Sequence, residues 1–285
     1  MTKCVTTGSA LWIVSAVLAV WASTASVSMA ADQPPDFKRL IDRHAPAVVT
    51  VKFVMKMQMG MMGESESETE IPGVMIDPNG LVLCANSQLQ GPMGMMKRFM
   101  PPGMDMTSEP KDVKVVIGAD EAEYEAKILA RDTDLDLAWV QIENPADVKF
   151  AAVDLEDSAT VSVGETLVCV RRLGKLFNRA PAVRCGRICG EAKSPRHLFI
   201  GDTELASAVG CPAFTTSGKL AGIVVLQMPD EDDASPGNPM AMFGSMSAMA
   251  EMFAGVILPV RQVASATQRV RERYMNTSAT SDKGN

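Results

Sequence analysis

The sequence predicts an all-β chain, a sandwich or pair of barrels, closed by a C-terminal helix. Two observations lead there. About a dozen short apolar or β-branched runs follow one another at close spacing, with few helical patterns between them. No linker composition interrupts the chain between Ala45 and Arg273, and no repeat with a period of roughly 20–50 residues is present.

The elements can be taken in order. Lys3, the apolar run Leu11–Ala22 and the small-x-small site Ser28-Met29-Ala30 read as a secretory signal over residues 1–30. An apolar core of about 12 residues is short for a bilayer span, so the expectation is cleavage and a periplasmic or secreted product, with an uncleaved N-terminal tether as the alternative. Residues 31–44 form a polar, helical lead-in. Residues 45–275 make the folded domain, and 276–285 a polar tail expected to be disordered. Ala45–Val54 reads as the first strand and Met55–Glu70 as a loop. Ile71–Ile76 and Leu81–Ala85 flank Asp77-Pro78-Asn79-Gly80, and Asn-Gly between apolar runs is a strong hairpin signal. Gly91–Pro110 reads as a second loop. Strands follow at Val113–Ile117, Tyr124–Leu129, Leu137–Ile142, Thr166–Val170, Val183–Cys189, His197–Ile200 and Leu220–Val225. Met240–Phe253 has the pattern of a short amphipathic helix, and Gly255–Pro259 that of a last strand. Val263, Thr267, Val270 and Tyr274 then recur at helical spacing.

Charge and cysteine count narrow the function classes. A net charge of −7 without any Lys/Arg block excludes a nucleic-acid partner. Beyond Cys4, five cysteines remain, an odd number for an oxidising compartment. Cys185 and Cys189 stand too far apart along a strand to bond each other, and the reading is of small buried core residues.

The run Gly201-Asp202-Thr203-Glu204-Leu205-Ala206-Ser207-Ala208-Val209-Gly210-Cys211-Pro212-Ala213-Phe214 enters a tight turn, a short hairpin and the buried strand Leu220–Val225. It resembles the nucleophile segment of trypsin-like serine proteases of the HtrA/Deg type, which reads Gly-Asn-Ser-Gly-Gly-Pro. On that frame Gly210 and Pro212 fall in place and Val209 stands where the nucleophilic serine belongs. Gly73 to Leu89 is similar to the family's histidine segment, with Ser87 at the base position. Asp132-Thr133-Asp134-Leu135-Asp136-Leu137-Ala138 is similar to its aspartate segment, with Asp136 at the orienting position.

The resemblance thus implies a trypsin-like double β-barrel whose triad positions are Ser87, Asp136 and Val209. Neither Ser87 nor Val209 can do the chemistry of a proton acceptor or an attacking hydroxyl. The oxyanion loop, Ser207, Ala208 and Gly210, also departs from the pattern. Ser207 replaces the glycine that turns its N–H inward, and Cys211 the second glycine after the nucleophile. The two histidines, His44 and His197, read as ordinary strand-end side chains rather than relocated bases.

The implied function is an exported pseudoprotease, without cofactor or metal, that binds unfolded or extended peptide or a partner protease. A homo-oligomer stays open. An active serine endopeptidase with unconventional residues is the alternative. Another is an exported copper-binding protein, because methionines crowd at 55–62, 93–106 and 240–252. Thioethers suit Cu(I), and flexible Met side chains also suit promiscuous apolar binding.

Overall fold

A computed structural model describes residues 36–59, 64–96, 106–118, 122–145, 148–227 and 255–281. The expected signal segment, the Met240–Phe253 helix and most of the methionine clusters lie outside the described residues. Among the described residues, no helix is long and apolar enough to cross a membrane.

Among the described residues, twelve strands close into two six-stranded antiparallel barrels. The first contains β1 (Val48–Met59), β2 (Glu64–Asp77), β3 (Leu81–Ala85), β4 (Met106–Ile117), β5 (Ala122–Asp132) and β6 (Leu137–Ile142), in the spatial order β1-β2-β3-β6-β5-β4. The second contains β7 (Thr166–Arg172), β8 (Pro181–Ala192), β9 (Leu198–Gly201), β10 (Pro212–Thr215), β11 (Leu220–Leu226) and β12 (Gly255–Pro259), in the order β10-β11-β12-β9-β8-β7. Helix α1 (Phe37–His44) leads in, α2 (Asn86–Met96) follows β3, α3 (Thr203–Ala206) precedes β10, and α4 (Val260–Ser281) closes the chain. The double barrel and its C-terminal helix agree with the fold class read from the sequence.

Closure removes sheet edges, so each strand can bury alternate side chains inside its barrel. Val49, Val51 and Phe53 of β1, Met75 of β2, Leu83 of β3 and Val140 of β6 are all at most 1% exposed. The larger core cluster runs from these residues into the second barrel through Val170, Phe214, Ile223 and Leu258. A smaller cluster, including Leu167, Ile188, Leu205 and Val224, fills the rest of the second barrel. Polar contacts join the halves as well. The guanidinium of Arg172 on β7 donates to the carbonyls of Val48 (2.6 Å) and Ala45 (2.7 Å), and buried Arg179 pairs with Glu70 on β2.

Several boundaries differ from the expectation. Ala45–Ala47 form a 3-10 turn and the first strand starts at Val48. The stretch Met55–Glu70 is largely strand: β1 runs to Met59 and β2 begins at Glu64. Its Ser/Glu alternation hides the strand, but the register sets Glu70 opposite Lys52 and Glu66 opposite Lys56, so cross-strand charge replaces apolar burial. Within Gly91–Pro110, α2 continues to Met96 past a kink at Gly91, and β4 begins at Met106. Pro110 is tolerated because its strand pairs only with β1 at that point, β5 joining from Lys114 onward.

The last helix runs to Ser281, into the stretch expected as a disordered tail. Its weakly apolar position, Thr267, is 2% exposed and accepts a hydrogen bond from the Trp139 indole (3.1 Å). A buried indole N–H needs an acceptor, and a threonine supplies it where an aliphatic residue could not.

The five cysteines among the described residues are unpaired thiols, and Cys84, Cys169 and Cys211 are buried as expected. Cys189 is exposed and Cys185 half-buried, against the core reading. Both lie on the face of β8 that alternation turns away from buried Gly186 and Ile188.

Candidate functional site

The Asn79-Gly80 turn pairs β2 with β3 and delivers the chain into α2, so Ser87 enters the first turn of that helix. The tight β5–β6 turn, residues 133–136, brings Asp136 beside it. Asp136 has φ of +55°, a conformation that aspartate tolerates better than most residues. Its side chain is 4% exposed.

Both oxygens of this carboxylate are in use. Oδ1 accepts the backbone N–H of Ser87 (2.5 Å), while Oδ2 accepts the Ser87 hydroxyl (2.9 Å) and the backbone N–H of Leu226 (2.7 Å). The Asp136 carbonyl also accepts the N–H of Asn86 (3.1 Å). Burial pushes the Asp136 pKa up to about 6, against the downward pull of the Leu226 and Ser87 donors. The same burial, reinforced by the nearby carboxylate, pushes the Cys84 thiol up to about 12 and leaves it inert. Leu226 belongs to the second barrel, so Asp136 is a hydrogen-bonded joint between the two.

The facing wall is the 202–211 loop. Asp202 caps α3: Oδ1 accepts the N–H of Leu205 (3.1 Å) and Oδ2 the N–H of Arg187 on β8 (2.8 Å). This staple lies directly over Gly186, where an added Cβ would sit 2.1 Å from Asp202 Oδ1. Three of the loop's donors are committed within the fold. Ser207 N–H donates to the Thr203 carbonyl (3.1 Å), Ala208 N–H to that of Leu205 (3.0 Å) and Gly210 N–H to that of Val224 (2.8 Å). An oxyanion hole requires such donors to be aimed at the reacting oxygen. Here the Ser207 donor, at the position expected to line that hole, is spent inside a helical turn.

Val209 is half-buried, packs against the second-barrel cluster, and has Cγ2 beside Gly255. Its carbonyl accepts the side-chain amide of Gln88 (3.2 Å), so residues 87 and 88 of α2 span from Asp136 to the 202–211 loop. Gly210 has φ of +82°, and a Cβ there would meet Gln88 Oε1 at 2.7 Å and Pro72 Cγ at 3.0 Å. A glycine is therefore required on both conformational and steric grounds.

Of the residues singled out by sequence, the fold joins Ser87 directly to Asp136 and links Val209 to the same corner through Gln88. The two histidines go elsewhere. His44 is buried and stacks on Phe214 with ring centroids 3.8 Å apart, and burial holds its pKa below the ordinary value. His197 lies 3.0 Å from Glu191 and edge-on to Phe199. Neither forms a hydrogen bond with Asp136 or Ser87. Sequence reasoning missed Gln88, which neighbours the base position, and Asp202, whose Asp-x-x-Leu spacing has the form of a helix N-cap. Among the described residues, no group of three or more His, Cys, Asp or Glu side chains is placed to hold a metal ion.

Comparison with known proteins agrees with this geometry. The family model for a trypsin-like peptidase domain matches residues 72–223, just over half of the chain. A protein of Hahella chejuensis described as a probable periplasmic serine endoprotease, DegP-like, is 25% identical over 244 residues, covering 73% of this chain and 46% of its own length. The chain thus spans about half the length of this relative. With two closed six-stranded barrels and a matching family model, the chain belongs to the trypsin-like peptidases, and its domain is of the HtrA/Deg type.

Proposed function

We propose that this chain is an exported, non-hydrolytic member of its family that holds extended peptide, or a partner protease, in the cleft between its barrels. The observation that carries the reading is the Asp136 corner. The carboxylate that would orient a catalytic imidazole is instead closed on Ser87 and Leu226. A hydroxyl at position 87 cannot take a proton from a nucleophile at neutral pH, and an isopropyl group at position 209 cannot attack a carbonyl. The spent Ser207 N–H takes away one donor of the electrostatic contribution that often outlasts a lost triad. Export rests on the N-terminal signal pattern and on the periplasmic description of the Hahella relative. Strand addition is the binding mode expected of such a cleft, because backbone hydrogen bonds to a peptide need no triad.

The test pairs hydrolysis with binding. Wild-type protein is expected to leave casein intact and to stay unlabelled by a fluorophosphonate, while retaining reduced, carboxymethylated casein on a column. Cleavage of casein that the fluorophosphonate abolishes would overturn the reading. Absence of both cleavage and retention would remove its peptide-binding half.

A further inference from the structure

The β7–β8 hairpin ends in a turn, residues 173–180, that presents apolar side chains to solvent. Leu176 is 88% and Phe177 60% exposed, the two most exposed large apolar residues among the described ones. They sit side by side in the 3-10 turn Lys175–Phe177. Backbone hydrogen bonds fix this turn. Phe177 N–H donates to the Gly174 carbonyl (2.9 Å), Asn178 N–H to that of Lys175 (3.0 Å) and Ala180 N–H to that of Phe177 (3.0 Å). Asn178 and Arg179 both take left-handed conformations, with φ of +50° and +49°. The buried Arg179 side chain pairs with Glu70, and the Arg179 carbonyl accepts the Arg172 guanidinium (3.2 Å). An unusual backbone path over-determined in this way holds the apolar pair outward in a fixed orientation.

The charge around the tip has one sign. From Thr166 to Gly190 the hairpin carries Arg171, Arg172, Lys175, Arg179, Arg184 and Arg187 and no Asp or Glu, in a chain of net charge −7. Arg172 is used on the carbonyls of Val48 and Ala45, Arg179 on Glu70 and Arg184 on Glu204 (3.0 Å). Arg171 and Lys175, which flank the tip in sequence, pair with no carboxylate among the described residues. Single exposed apolar residues are ordinary, but a rigid adjacent pair beside uncompensated cations marks a contact surface. A bilayer surface suits both parts: large apolar side chains enter the headgroup–acyl boundary, and cations gain from anionic headgroups. The same surface repels the rest of an acidic chain, which leaves the tip as the favoured point of contact.

We infer that the tip of the β7–β8 hairpin docks on an anionic phospholipid bilayer. Leu176 and Phe177 enter the acyl boundary, while Lys175 and Arg171 lie among the headgroup phosphates. The contact is separate from the cleft and does not depend on whether the cleft hydrolyses or holds peptide.

Position 177 makes the docking observable. Trp12→Phe, Trp21→Phe and Phe177→Trp in the full chain leave two indoles: one at the tip, and Trp139, which is 1% exposed and gives a constant background. The probes are vesicles of phosphatidylglycerol with phosphatidylethanolamine, and vesicles of phosphatidylcholine alone. On the anionic vesicles, emission from position 177 is expected to shift to the blue and to be quenched by bromine on the acyl chains. Adding Leu176→Ser or Lys175→Gln, both at exposed positions, is expected to raise the lipid needed for half the shift about fivefold, with circular dichroism unchanged. The apolar run Leu11–Ala22 also attracts lipid, so sedimentation with vesicles without a shift at position 177 would overturn the inference. An equal shift on phosphatidylcholine, or a shift that neither change moves, would overturn it as well. A shift that needs no lipid and grows with protein concentration would show that a second copy covers the tip, and would also overturn it.

Discussion

The two walls of the cleft use their polar groups in different ways. On the first-barrel wall the carboxylate of Asp136 persists, buried and holding three donors. On the second-barrel wall the 202–211 loop carries the aliphatic Val209 and commits the Ser207 N–H to the α3 turn, while the Gly210 N–H bonds Val224 of β11. The difference follows from what each residue does for the fold. Asp136 accepts from Ser87 in one barrel and Leu226 in the other, so removing it strands donors on both sides of the joint. A nucleophile at position 209 has no comparable structural duty, and an aliphatic side chain there gains burial against the second core.

The largest expected effect tests that asymmetry directly. Asp136→Asn keeps the shape and tolerates the φ of +55°, but offers one acceptor oxygen and an NH2 group to three donors. A loss of about 3 kcal/mol is expected, read from chemical denaturation midpoints, since buried unmatched donors cost about 1–3 kcal/mol each. A loss below about 1 kcal/mol would show that the joint is dispensable and the comparison misdrawn.

The titration of Asp136 sharpens the same point. Its folded pKa of about 6 lies above the ordinary 3.8, so between these values the folded chain holds a proton that the unfolded chain releases. Its contribution to stability is therefore fully present below about pH 4 and is lost as pH rises through about 6. The gap between 3.8 and about 6 corresponds to roughly 3 kcal/mol. Denaturation of wild type and Asp136→Asn from about pH 4 to about pH 7 isolates this contribution, and the wild-type curve should fall relative to the variant. A flat difference would mean that the three hydrogen bonds hold the ionised form as well as water does.

How much of this was legible in the sequence depended on which force made each element. The Asn79-Gly80 hairpin, the buried run of β11 and the Leu137-Ala138-Trp139 strand were visible because local turn chemistry and apolar patterning specify them. The β1–β2 extension was hidden because Glu66 and Glu70 stand opposite lysines on a neighbouring strand. Asp136 lies beside residue 87 in the fold, but Leu226 donates through its backbone from 90 residues away, and a backbone donor has no signature in the side-chain alphabet. The staple of Asp202 over Gly186 was missed for a related reason: it bonds a cap residue to the Arg187 N–H on another strand, and only the register of β8 makes the approach close.

A smaller effect is expected on the loop wall. Gly210→Ala forces a side chain onto a backbone with φ of +82° and brings its methyl within 2.7 Å of Gln88 Oε1. A cost of about 2 kcal/mol is expected from the conformation and contact together. Adding Gln88→Ala should recover only the contact, because the amide end can be removed while the backbone strain remains. Full recovery would place the whole requirement for glycine in that one contact.

The smallest expected effect is at position 209 itself. Val209→Ser removes two methyl groups from a half-buried site and should cost about 1 kcal/mol. The restored hydroxyl still faces a corner where Ser87 donates to Asp136 and no imidazole is present. Fluorophosphonate labelling is therefore expected to stay at background in Val209→Ser. It should stay low in Ser87→His with Val209→Ser as long as Ser207 N–H remains bonded to Thr203. Adding Ser207→Gly to that pair frees the turn to rotate its N–H toward the cleft, and labelling should then rise. If the pair alone labels strongly, the loop wall is already poised for catalysis and the contrast between the two walls is misdrawn. If the triple change labels and the pair does not, the turn in the 202–211 loop is a barrier to hydrolysis in its own right, independent of the missing side chains.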